Sequence, residues 1–160
     1  MSIKIILLLS LILSMFSCTE STRDLKDPQD VLAEYVSRTF SSASISDKQR
    51  LLDLTEGEVK KNLESMTEGN FRKYFIESKR NFVSLKVLDK RDISSSERSF
   101  TYELTYLDKT HDNETKIINK KICNFKKIDK LWKIVEVKNI KTFMETTKEM
   151  NVEGIPNNLP

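Results

Sequence analysis

The chain has 160 residues, 27 of them basic and 24 acidic for a net charge of +3, with one histidine, two cysteines, three glycines and three prolines. That length suits one domain with a core of its own. With 38% apolar and 32% charged residues, the composition excludes collagen, low-complexity disorder and a disulfide scaffold.

The apolar residues are unevenly placed. Met1, Ile3 and ten residues between Ile5 and Phe16 crowd the first seventeen positions, and without them the apolar content falls to roughly 34%. The run from Ile5 to Phe16 would span about 18 Å as a helix, against about 30 Å of bilayer hydrocarbon, so it is too short to cross. Lys4 ahead of the run and the small residue Ser17 after it describe an export signal over residues 1–17.

Met15-Phe16-Ser17-Cys18 resembles the lipobox of bacterial lipoproteins, in which the cysteine is diacylated and exposed by cleavage. The resemblance implies lipidation at Cys18 and attachment to the membrane through acyl chains, each buried methylene contributing about 0.8 kcal/mol. Thr19 stands where an aspartate would resemble an inner-membrane retention signal. The expected location is therefore the cell envelope, at the outer membrane of a two-membrane cell. Residues 18–27 are a short polar tether, reaching at most about 30 Å, and the folded domain is expected over 28–148, followed by a tail over 149–160.

Asp27-Pro28-Gln29-Asp30 has the form of a helix start: a capping acid, proline in the first position and an acid in the first turn. Val31, Leu32, Tyr35, Val36 and Phe40 then share a helical face. Ser46-Asp47-Lys48-Gln49 and Thr55-Glu56-Gly57-Glu58 both match a capping box and predict two short helices. A fourth helix is expected from Gly69-Asn70, with Phe71, Tyr74, Phe75 and Ser78 on one stripe.

Beyond Arg80 the period changes to two. Val83, Leu85 and Val87 alternate with polar residues, as do Phe100, Tyr102, Leu104 and Tyr106, which predicts half-buried strands. Turns are expected at Ser94–Glu97 and around His111. Two further strands, Thr115–Ile128 and Leu131–Phe143, are joined by Asp129-Lys130, a two-residue hairpin without the usual glycine. Four strands with short connections form an antiparallel meander. Helices first and a meander afterwards make the fold α+β, with N-terminal helices packed on a bent four-stranded sheet.

Phe125-Lys126-Lys127-Ile128-Asp129-Lys130-Leu131-Trp132-Lys133-Ile134-Val135, coming after the helices, resembles the late hairpin of the nuclear transport factor two-like superfamily, particularly its small bacterial lipoproteins. The resemblance covers roughly residues 28–143. It implies a cystatin-like cone, a sheet curled around the first helix to enclose a pocket. Some members are isomerases, dehydratases or hydrolases; many are non-catalytic binding or dimerising modules.

Acid-base chemistry in such a cone needs a carboxylate facing the apolar interior. Glu136 shares strand parity with Trp132, Ile134 and Ile140, while Val135 and Val137 occupy the opposite parity, so its orientation stays open. Glu103 falls on the solvated side of its strand. Tyr35, Tyr74, Tyr102, Tyr106 and Trp132 either line a ligand pocket or are core. Once Cys18 carries lipid, Cys123 has no disulfide partner, and as a thiol among apolar neighbours it reads as a small buried hydrophobe. Neither a phosphate loop nor metal-spaced His/Cys residues occur, and no cofactor is expected.

Residues 109–148 hold eleven lysines against five acids, whereas 18–80 are nearly balanced. Lys120, Lys121, Lys126, Lys127 and Lys133 therefore form either a basic surface for an anionic partner or an ordinary solvated sheet face. The export signal makes nucleic acid an unsuitable partner. A protein or small-molecule ligand, or a second copy in a homodimer, fits better. The chain thus reads as a membrane-anchored, non-catalytic binding module, with a Glu136-dependent enzyme and an envelope inhibitor or immunity-type protein as alternatives.

Overall fold

A computed structural model describes residues 27–110 and 114–146. The export signal, Cys18, most of the tether, His111 and the tail over 149–160 lie outside the described residues.

Helix α1 (Pro28–Ser41) starts as its sequence dictates. The Asp27 carboxylate accepts a 2.7 Å hydrogen bond from the Gln29 amide, Pro28 opens the first turn and Asp30 follows in it. Its apolar stripe buries Val31, Leu32 and Val36 completely or nearly so, with Tyr35 and Phe40 packed at its border.

The next two helices begin differently from the capping-box expectation. Ser46 precedes α2 (Asp47–Asp53) but makes no capping bond. The work falls instead to Asp47, whose carboxylate accepts from the Ala43 and Ser44 amides at 2.9 Å and so closes the preceding loop. Those two amides, more than any other influence, hold the Asp47 carboxyl below its ordinary range. Thr55 caps nothing: its buried hydroxyl donates to the Leu51 carbonyl at 3.1 Å, and its backbone forms a bridge with Ile134. Helix α3 (Gly57–Ser65) is entered through Glu56, without a side-chain cap.

The fourth predicted helix is split. Helix α4 (Glu68–Phe71), capped by the Thr67 hydroxyl, passes into a π-helical turn over Arg72–Ile76. The wider turn disrupts the single stripe. Phe71 is fully buried and stacks on Phe75 at 4.7 Å, while Tyr74 swings to 53% exposure.

The remainder is one antiparallel meander, β1 (Arg80–Asp92), β2 (Glu97–Asp108), β3 (Thr115–Ile128) and β4 (Leu131–Thr146), in spatial order β1-β2-β3-β4. The fold is α+β. At the β3–β4 turn Asp129 and Lys130 both have positive φ, 49° and 69°, the left-handed pair that a type I′ hairpin requires. Register shifts leave Val83 and Leu88 of β1, and Val135 and Ile140 of β4, as unpaired extra residues. Each such bulge reverses the inward parity of the strand residues beyond it.

The main core lies between α1 and the inner face of the sheet, where Phe100, Tyr102, Cys123, Phe125, Trp132 and Ile134 meet Val31, Leu32 and Val36. Leu51, Leu63 and Phe71 form a smaller cluster among the helices.

Candidate functional site

Along β3 the inward-facing positions are Ile117, Asn119, Lys121, Cys123 and Phe125. Four of the five are buried, and Lys121 is half-buried in the middle of them. In the sheet register Lys121 lies opposite Tyr102 of β2. Facing them from α1 are Tyr35 and, one turn further on, Thr39 and Phe40. These residues, with Arg80, Leu104, Tyr106 and Val137, line a cavity of about 280 Å³ beneath the sheet.

Its polar groups are held in place. Asn119 donates to the Tyr106 hydroxyl at 3.4 Å and accepts from the Thr142 hydroxyl at 2.8 Å, which in turn accepts from Asn139 at 2.9 Å. Arg80 donates to the Tyr74 carbonyl, and its guanidinium lies 5.6 Å from the centre of the Phe40 ring and 5.9 Å from that of Tyr106. Burial, aided by the Arg80 charge, draws the Lys121 ammonium below its ordinary range. Burial pushes the Tyr35 phenol up to about 12 and moves that of Tyr102 in the same direction, so both hydroxyls stay protonated at neutral pH. Among the described residues no acidic side chain lines the cavity.

A second, larger concavity of about 1090 Å³ runs between the outer side of α1 and β1. Ala33, Phe82, Leu85 and Val87 make its apolar wall, and Gln29, Lys86 and Lys90 lie along it. Val36, Phe40 and Arg80 line both spaces, which therefore adjoin.

Of the six residues expected at a pocket, Tyr35, Tyr74, Tyr102 and Tyr106 line the inner cavity. Trp132 and Glu136 line neither space. Trp132 is buried near the hairpin, with Arg98 5.0 Å and Lys127 5.8 Å from its ring centre. The Val135 bulge settles the parity of Glu136, because Asn124 pairs with Glu136 and Phe125 with Ile134. Val137 therefore turns inward and Glu136 outward, where its carboxylate meets Lys138 at 2.6 Å and Asn124 at 2.8 Å. The Lys138 bond, followed by that from Asn124, holds the Glu136 carboxyl below its usual range.

Of the five lysines grouped by sequence, Lys126 and Lys133 are cross-strand partners near the β3–β4 turn. Lys121 enters the cavity, Lys126 pairs with Glu97 at 3.5 Å, Lys127 lies near Trp132, Lys133 donates to the Asp53 carbonyl and Lys120 stands opposite Glu103. Arg80, Asn119 and the inward role of Lys121 were missed by sequence reasoning. For Lys121 the signal was present, since it shares strand parity with Ile117, Cys123 and Phe125. Among the described residues no group of three or more His, Cys, Asp or Glu side chains is arranged to hold a metal ion, and no helix is long and apolar enough to cross a membrane.

The architecture is similar to the solution structure of a SEC-C motif containing protein from Rhodopseudomonas palustris. The TM-score is 0.52 at 15% identity, over 75% of this chain and 84% of that one. At that identity the likeness is one of fold alone. No protein-family model matches the chain, and no curated protein matches it.

Proposed function

We propose that the chain is an exported bacterial lipoprotein, anchored through acylated Cys18 at the outer membrane of the cell envelope, whose α+β domain is a non-catalytic binding module built as a cystatin-like cone. The export signal and the Ser17-Cys18 junction support the anchoring. The observation that carries the non-catalytic reading is the outward turn of Glu136. Among the described residues the inner cavity offers phenols, an amide and two cations, but no carboxylate to serve as a general base.

Metabolic labelling with a clickable palmitate is expected to mark the wild type and spare Cys18→Ala; labelling of both would overturn the anchor. Generic ester, isomerase and dehydratase substrates are expected to show no turnover. Activity abolished by Glu136→Gln would overturn the binding-module reading.

A further inference from the structure

Arg80 and Lys121 line one cavity that, among the described residues, no acidic side chain lines. Other cations of the sheet are paired on its surface, Lys116 with Glu145, Lys126 with Glu97 and Lys138 with Glu136, and none of these acids reaches the cavity. Asp108, opposite Arg80 in the sheet register, does not line it either. A lysine on the core-facing row of a strand is costly unless something of opposite charge meets it. The surroundings suit an anion, because two phenols kept protonated by burial can donate to it and no carboxylate repels it. Phe40 and Arg80 also line the apolar groove between α1 and β1, so that a charged end and an apolar body have separate, adjoining places.

We propose that this cavity binds an amphipathic organic monoanion, its carboxylate held between Arg80 and Lys121 and its apolar body passing Phe40 into the groove walled by Phe82, Leu85 and Val87. The inner cavity of about 280 Å³ accommodates the head and the larger groove the body, sizes of the same order as the ~300–1,000 Å³ usual for small-molecule sites. This deepens the binding-module reading and rests on it.

The test uses the full chain in zwitterionic phosphatidylcholine nanodiscs, with its lysines isotopically methylated and followed by NMR. The Lys121 resonance is identified by its absence from Lys121→Met. Octanoate is the probe and octanol its neutral counterpart. Octanoate is expected to shift the Lys121 titration upward and octanol to leave it in place. Arg80→Met is expected to weaken octanoate binding about tenfold or more, the usual loss for a charge-assisted contact, with near-ultraviolet circular dichroism unchanged. A Lys121 titration that ignores octanoate, or moves equally with octanol, would overturn the site. That outcome leaves the non-catalytic reading standing, whereas Glu136-dependent turnover with an intact octanoate response would overturn that reading and leave the site.

Discussion

Cys123 sits at the centre of β3 with no exposed surface, and burial raises its thiol well above the ordinary value of 9.0. The folded protein thus keeps a proton that the unfolded chain releases above pH 9.0. Over that range the unfolded state binds fewer protons, so stability falls as pH rises, by about 1.4 kcal/mol per pH unit for one group. Tyr35 and Tyr102 add the same sense of change from their ordinary value of 10.0. Lys121 acts oppositely, because burial lowers its pKa and the burial penalty is relieved as the pH rises through that lowered value. Comparison with a variant therefore isolates the thiol better than the raw slope does. Cys123→Val is expected to flatten the loss of stability between pH 9.0 and 10.0, read from urea midpoints; an unchanged slope would show that the thiol ionises in the folded state. Its character as a buried hydrophobe was legible from its neighbours, Ile122 and Phe125, and from the lack of a disulfide partner. Lys121 is two residues away on the same face and was equally legible by parity, but a run of lysines reads as surface until strand parity is applied to each one.

At the scale of elements, two of the three described positions with left-handed backbone have opposite consequences. Gly57 has φ +62° at the entrance to α3, and a Cβ there would stand 3.2 Å from the Val135 carbonyl oxygen. Gly57→Ala is expected to cost about 1–2 kcal/mol, combining the left-handed penalty with pressure on the β4 bulge. Lys130 has φ 69° in the β3–β4 turn with no glycine's freedom. Lys130→Gly is expected to stabilise by about 0.5–1 kcal/mol, the relief of strain being partly offset by glycine's greater freedom in the unfolded chain. Urea unfolding of both variants checks the pair, and a loss in Lys130→Gly would mean that the lysine side chain contributes more than its backbone strain costs. Both strands of this hairpin were legible as runs flanking Asp129-Lys130, with β3 at its observed limits. The capping boxes located α2 and α3 but not their caps; Thr55 is drawn to a backbone bridge with Ile134, and a tertiary contact of that kind outweighs a local motif. The Val135 bulge was invisible in the same way: one inserted residue changes which face Glu136 occupies, and no residue type announces it.

For the whole molecule, the division of the core into two clusters decides how the fold comes apart. Leu51, Leu63 and Phe71 belong wholly to the helices, and Phe125 belongs to the sheet; Tyr35 and Val59 pack against both clusters. If α2, α3 and α4 open together while the sheet persists, Phe125 keeps its contacts in the opened form and Phe71 loses them. A substitution at Phe125 then destabilises the native and partly opened states alike, leaving the free energy of local opening unchanged while lowering that of global unfolding. A substitution at Phe71 lowers both. Phe125→Leu, a change costing about 1 kcal/mol in a packed core, is therefore expected to reduce amide protection in β2 and β3 while amides of residues 47–76 exchange as in the wild type. Phe71→Leu is expected to reduce protection in both regions by the same amount. Native-state hydrogen exchange measured amide by amide separates the two cases. Equal loss in both regions for Phe125→Leu would make the domain one cooperative unit, in which Tyr35 and Val59 couple helices and sheet too tightly for either to open alone.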